Sequence, residues 1–427
     1  MRRRPERIFG YGNVRVVPNA VAVTGIGVIS PFGSTHQSFV DNLLQGRSAV
    51  GRVNGFDVSQ CETTLAAETT TFKPTDWLPP MRLRRLERTG VYAVAVTRLA
   101  FEDAGYSVRP DGDDDAGVVL GTWTAGGPST ETYLDALFSG GPQMAPALLF
   151  ESTVGNAAAS LTALEHKLRG PNVTVSHREA SGLVAIVTAV DMLRLGRARQ
   201  LLSGGVDVIF ETFYRACDRF HVMSPAPAFS RAVAPFDSER SGFVLGEGGV
   251  ALWLESGDAR GINRAARYGS ILGVAESGTV VPLNEWPASP APLVRTMKAA
   301  LEDAELSPAD VDVVYASANA TPVLDRVEAE ALDELFSRSS TVITSIKGAI
   351  GEAGVSSAAA CAAAFLCGRE GRVPPVAGLV ESDRAASGLN LARESTPLPG
   401  PVALVNGFAG GGTLCSIVLR VATDGRS

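Results

Sequence analysis

Three consecutive residues, His177, Arg178 and Glu179, carry side chains suited to proton transfer and charge stabilisation. They follow Asn172-Val-Thr-Val-Ser176, which reads as a strand, and precede a helix expected from about Gly182 to Leu195. A sharp strand-to-helix turn of this kind brings a side chain under the helix dipole, which favours an anion there. His177 would need a nucleophile or leaving group to serve, and none is evident. The trio therefore reads as a polar plug that satisfies its own hydrogen bonds. Glu247, flanked by Gly246 and Gly248, reads as an acid that ends in a buried network. The five cysteines, Cys61, Cys217, Cys361, Cys367 and Cys415, are odd in number and widely spaced, so neither a disulfide framework nor a zinc pattern is present. Cys361 and Cys367 lie in an Ala-rich run and read as small core residues. No metal or cofactor site is expected.

The elements that must position these groups alternate between strands and helices, which indicates α/β layers. Val21–Ser30 is a buried, β-branched strand broken by Pro31-Phe-Gly33. Helical periodicity is expected over 35–46, 82–105, 153–168, 182–195, 290–304, 327–336 and 355–367. Strands are expected at 117–122, 172–176, 200–207, 269–276, 311–316, 341–344, 401–406 and 416–420. Roughly 21–255 and 265–420 show a similar order of elements, so an internal duplication is plausible, although no short repeat is exact enough to prove it. Pro282, Pro287, Pro290 and Pro292 read as a loop between the halves.

Bulk properties exclude several classes. A net charge of -7 argues against a nucleic-acid binder, which would show a basic face. Arg2, Arg3, Arg4 and Arg7 read as a tail over residues 1–20. Arg82, Arg84, Arg85 and Arg88 read as a solvated helix face that could also meet an acidic partner. Charged residues are only 19%, which favours a chain with much of its surface hidden in an oligomer. No run approaches the length of a membrane span, and no apolar signal segment opens the chain. A cytoplasmic protein is expected.

Four segments together resemble the β-ketoacyl synthase family: Val23-Thr-Gly-Ile-Gly-Val-Ile-Ser-Pro-Phe-Gly33, Val173-Thr-Val-Ser with Ala180-Ser-Gly182, Pro235-Phe-Asp-Ser-Glu-Arg-Ser-Gly-Phe-Val-Leu-Gly-Glu-Gly248, and Asn406-Gly-Phe-Ala-Gly-Gly-Gly-Thr413. The third is the most specific. The resemblance implies a thiolase-like α/β fold of two pseudo-repeated halves, 21–255 and 256–427, in a layered αβαβα arrangement. It also implies a nucleophilic cysteine and two histidines, and here the sequence departs. Matching Ala180-Ser-Gly182 puts Glu179 at the cysteine. An acyl group on that carboxylate would be a mixed anhydride, too labile to await condensation. The first histidine, a few residues before Thr321-Pro322, is Ser317. The second, after Lys347 and Gly351, is Glu352. Lys347, Asp325, Glu328 and Glu247 are retained family positions. Gly410 stands where catalytic relatives carry an aromatic gate.

Three losses on a preserved scaffold resemble the chain length factor, the ketosynthase β subunit of type II polyketide synthases. That family typically has glutamine at the cysteine position, so Glu179 is a further departure. Its pKa should rise by burial unless Arg178 or the helix dipole stabilises the anion. The resemblance implies a heterodimer with a catalytic ketosynthase α subunit and a carrier protein that brings the phosphopantetheine-linked chain. It also implies that this chain caps the tunnel for the growing polyketide. Tyr133, Leu137 and Phe138, with Leu134 on the same expected helical face, are the candidate tunnel or interface residues. Two rivals are a malonyl carrier-protein decarboxylase, whose relatives keep the histidines, and a stand-alone acyl-binding homodimer.

Overall fold

The computed structural model describes residues 20–83, 86–256, 267–337 and 339–422. Among these, ten strands form one sheet: β1 (Val21–Ile29), β2 (Ala116–Gly121), β3 (Asn172–Val175), β4 (Gln200–Asp207), β5 (Gly248–Ser256), β6 (Gly269–Gly278), β7 (Val313–Tyr315), β8 (Val342–Thr344), β9 (Val402–Phe408) and β10 (Thr413–Val421). The order across the sheet is β8-β7-β9-β10-β6-β1-β5-β4-β2-β3. From the centre outward, β1-β5-β4-β2-β3 and β6-β10-β9-β7-β8 follow the same sequence, and the pairings are antiparallel, antiparallel, parallel and parallel on both sides. The duplication that no short repeat reveals is thus written in the topology.

Side chains alternate across this sheet, as strand geometry requires. Val118 and Leu120 of β2 join a core with helices α2 (Arg88–Ala104) and α4 (Ala157–His166), while Val119 points the other way. In the second half Val314 and Leu404 face α7 (Ala291–Asp303) and α8 (Pro322–Phe336), and Val313, Tyr315 and Val405 point inward. The inward side chains of both halves, with α1 (His36–Leu44), enclose α5 (Ser181–Arg194) and α9 (Ser356–Arg369). Every residue of α9 from Ser356 to Gly368 is buried, which explains its run of alanines and small polar residues. Two outer helical layers, two half-sheets and one central pair of helices make the five layers. A Cβ on Gly27 of β1 would collide with the carbonyl of Val96 in α2, and one on Gly273 of β6 with that of Ala300 in α7. The same close helix–strand approach thus occurs in both halves.

Several expectations need correction. The helix expected over 82–105 is broken: a single turn at Pro80–Leu83 precedes α2, which starts at Arg88 after the extended Glu87. Arg84 and Arg85 lie outside the described residues, as does the N-terminal basic cluster. Arg88 keeps 42% of its side chain exposed, as a helix face would, while its guanidinium also reaches the buried Glu247 at 2.6 Å. The helix expected over 153–168 starts only at Ala157, after a short 3-10 turn at Ala147–Ser152. Helix α8 begins at Pro322, five residues earlier than expected, because proline at the first helical position costs no hydrogen bond. The proline-rich loop does not join the halves; it links β6 to α7 inside the second half. The helix α6 (Glu211–Arg219) was not expected at all.

Candidate functional site

The two central helices aim their amino ends at one buried region, and the segments leading into them carry its acids. Before α5, a 3-10 turn spans Arg178–Ala180, and Arg178 adopts φ +53°. A non-glycine residue in the left-handed region costs energy and marks a position held by its surroundings. The holding group is Ser181: its hydroxyl accepts from the His177 N–H at 2.9 Å and lies 2.6 Å from the Arg178 carbonyl. Before α9, a single turn at Lys347–Ile350 presents Lys347 and leads to Glu352.

The structure brings Glu179, Ser317, Lys347 and Glu352 together. Lys347 Nζ donates to Glu352 Oε2 at 2.7 Å and to Ser317 Oγ at 3.3 Å. Asn319 Nδ2 donates to the same carboxylate oxygen at 2.7 Å, and the Ala353 N–H to the other at 3.1 Å. Ser317 Oγ also accepts from the Phe408 N–H at 2.9 Å. Lys347 and Glu352 are both buried, so their charges answer each other in a medium where either alone would be costly. Burial raises the Glu352 carboxyl above its ordinary range, and Lys347 draws it back down.

Glu179 is equally buried, at 2% exposure, but less well served. Its Oε2 accepts from the Gly410 N–H at 3.3 Å, and its Oε1 lies 3.5 Å from Arg178 Nη2. Burial pushes its pKa up to about 7; Arg178 and Lys347 lower it, and Glu352 raises it. His177 does not face a reacting group. Its Nδ1 shares a hydrogen bond with Thr413 Oγ1 at 3.1 Å.

The other retained acids are braces. Asp325 accepts from the N–H groups of Phe236, Asn319 and Ala320 at 2.8, 2.9 and 3.2 Å. Burial lifts it to about 6 against the pull of Arg240. Glu328 Oε1 accepts from the Ser317 N–H and from Asn406 Nδ2, both at 2.9 Å. Burial lifts it to about 7. Glu247 accepts from the Thr69 and Ile209 N–H groups and pairs with Arg88, tying α2 to β5. It is not part of the cluster around Lys347.

Chemically this cluster holds no imidazole and no thiol. Ser317 Oγ accepts from Lys347 Nζ and from the Phe408 N–H, so its oxygen is taken up by donors and faces no imidazole. Cys217 lies within electrostatic reach of Glu179 and Arg178, but burial pushes its thiol up to about 12 and leaves it protonated at neutral pH. Sequence reading missed Asn319, Asn406, Arg240 and Trp123. The first three lie inside the motifs that define the site, and the polar type alone was the available signal. Among the described residues no group of acids, histidines and cysteines could hold a metal ion.

Tyr133, Leu137 and Phe138 do not join this cluster. They lie on α3 (Gly127–Gly140), a surface helix. Phe138 is 80% exposed, Leu134 is also exposed, Leu137 is half-buried, and the Tyr133 ring sits 5.9 Å from that of Phe150.

Residues 18–259 match the β-ketoacyl synthase N-terminal domain and residues 268–380 its C-terminal domain. The 3-oxoacyl-[acyl-carrier-protein] synthase 2 of Coxiella burnetii is 27% identical over 411 residues, covering 95% of this chain and 99% of the relative. The tetracenomycin polyketide synthase ketoacyl synthase beta subunit of Streptomyces glaucescens is 31% identical over 368 residues, covering 84% of this chain and 88% of that one. Among solved structures, the ishigamide ketosynthase/chain length factor aligns with a TM-score of 0.86 at 26% identity, covering 95% of this chain and 99% of that chain. With the fold, the motifs and the family match over most of its length in agreement, this chain belongs to the β-ketoacyl synthase family.

Proposed function

We propose that this chain is the non-catalytic subunit of a type II polyketide ketosynthase, a chain length factor that pairs with a catalytic ketosynthase. In that pair it shapes the tunnel for a chain delivered by an acyl carrier protein. The observation that carries the reading is the Lys347 cluster. Where the resemblance implies a thiol and two imidazoles, this chain has Glu179, Ser317 and Glu352: Lys347 ties Ser317 to Glu352, Glu179 lies beside them on Gly410 and Arg178, and no thiol or imidazole is among them. Similarity to a ketoacyl synthase beta subunit and to a ketosynthase/chain length factor structure supports polyketide chain elongation as the setting.

The surface supports a partner. Strand β3 ends the sheet, and no described strand pairs its outer edge. An unpaired edge is a template for another chain. On the segment before it, Phe138, Met144, Leu148, Phe150 and Leu164 are each more than 60% exposed. Large apolar side chains exposed in one segment mark an interaction site. Tyr133, Leu137 and Phe138 are the proposed tunnel or interface residues on that segment.

Co-expression with a catalytic ketosynthase, followed by size-exclusion chromatography with mass determination, tests the reading. A stable one-to-one pair is expected. A well-behaved homodimer that ignores the ketosynthase would contradict it and favour a stand-alone binding protein. Carbon dioxide release from malonyl carrier protein by this chain alone would favour a decarboxylase instead.

A further inference from the structure

The buried cluster is closed on its outer side by two residues that the family match does not explain. The guanidinium of Arg178 lies over the Trp123 ring, 5.2 Å from its centroid. It fills the space beside Gly410: a Cβ there would stand 3.6 Å from Arg178 Nη1 and 3.7 Å from Cζ. Both members of this wedge are anchored. The left-handed backbone of Arg178 is fixed by Ser181. The Trp123 N–H donates to Asp207 Oδ1 at 2.7 Å, and the other oxygen of Asp207 accepts from the Val355 N–H at 2.7 Å. The Trp123 ring meets Phe213 edge-on at 5.0 Å, and Phe213 stacks on Phe210. Beneath the wedge, Glu179, Ser317, Lys347 and Glu352 are all at most 4% exposed. Beyond it, Gly410 belongs to a loop crossed by Leu283 and Asn284, and Leu283 is open to solvent.

We propose that Arg178 and Trp123 form a stopper that closes this chain's own centre to a pantetheine-linked acyl thioester. The arrangement gives the strained backbone of Arg178 a purpose: it turns the guanidinium onto the indole and into van der Waals reach of position 410. The indole face attracts the guanidinium, and the Glu179 carboxyl 3.5 Å from Nη2 holds its inner side. On the reading given under Proposed function, the stopper leaves the partner's centre as the one a growing chain can enter.

The test uses Glu179→Cys as a reporter thiol in the full chain, labelled with a chloroacetyl-pantetheine probe and mapped by peptide mass spectrometry. With the stopper intact, residue 179 is expected to label slowly. Adding Arg178→Ala or Trp123→Ala should raise its rate tenfold or more. Rapid labelling with the stopper intact would overturn the proposal, and so would slow labelling in all three variants. Size-exclusion profile and melting temperature check that each variant is folded. If Glu179→Cys does not fold, Ser317→Cys, a near-isosteric reporter in the same buried cluster, gives the same comparison with and without Trp123→Ala. The outcome is separable from the reading of function. An open centre in a chain that still pairs with a ketosynthase removes the stopper alone. A closed centre in a chain that pairs with nothing removes the function alone.

Discussion

Glu179 and Glu352 occupy corresponding places in the two halves: each lies in the segment that runs from the edge strand of its half into a central helix. Both are buried, and both carboxyls are raised by desolvation. Their partners differ. Glu352 receives a lysine and an asparagine at 2.7 Å each, inside the protein. Glu179 receives one backbone N–H at 3.3 Å and an arginine at 3.5 Å that is partly open to solvent. Burial alone therefore does not set the state of an acid. Glu352 and Lys347 form a compensated ion pair that also ties Asn319 to the segment before α9. Glu179 is under-compensated and titrates near neutrality, with a pKa of about 7.

The largest effect should come from breaking the compensated side. Lys347→Met leaves a carboxylate buried without its cation and is expected to cost about 3–5 kcal/mol, by urea unfolding at pH 8. The loss should shrink toward pH 5, because Glu352 can then take up a proton. An equal loss at both pH values would contradict the ion-pair description. On the other side, Glu179→Gln should stabilise. A buried acid with a raised pKa keeps its proton while the unfolded chain has already lost it, so stability falls as pH rises from about 4.5 to about 7 and is level above that. Removing the charge should recover about 2–3 kcal/mol at pH 8 and almost nothing at pH 4.5. A variant no more stable than the parent at pH 8 would mean that Glu179 is better served than its contacts suggest. A smaller effect is expected from Arg178→Met. It removes the cation that lowers Glu179 and should move the upper end of that pH window upward, at about 1 kcal/mol or less because the guanidinium is partly exposed. The smallest change lies away from both acids. Phe138→Asp should leave the isolated chain within about 0.5 kcal/mol of the parent, yet abolish pairing with a ketosynthase on a sizing column.

Much of this architecture was legible in the sequence because it is local. Strand positions followed from β-branched runs, helix α5 from the sharp turn before Gly182, and helices α4 and α9 from their Ala-rich runs. The site acids lay within motifs: Glu179 before Ala180-Ser-Gly182, Glu352 after Lys347 and Gly351. What stayed hidden depends on distant pairs. The break before α2 follows from Glu87, whose carboxylate accepts from the N–H of Gly126, and from Arg88, held by Glu247 159 residues away. Trp123 gained a role only when Arg178 was placed over its ring. Helix α6 escaped because nine largely polar residues between a strand and a loop show one amphipathic face over only about two and a half turns. The candidate tunnel residues were given the right helix, but periodicity alone could not say that Phe138 points to solvent.

The most direct test of the central claim is polyketide formation by the reconstituted pair, followed by mass spectrometry of carrier-protein-bound products. The account predicts that replacing the partner's nucleophilic cysteine by alanine abolishes elongation, that Glu179→Gln in this chain leaves it intact, and that this chain alone extends nothing. Elongation that survives loss of the partner's cysteine, or condensation by this chain alone, would contradict the claim that the Glu179–Lys347–Glu352 centre is not catalytic.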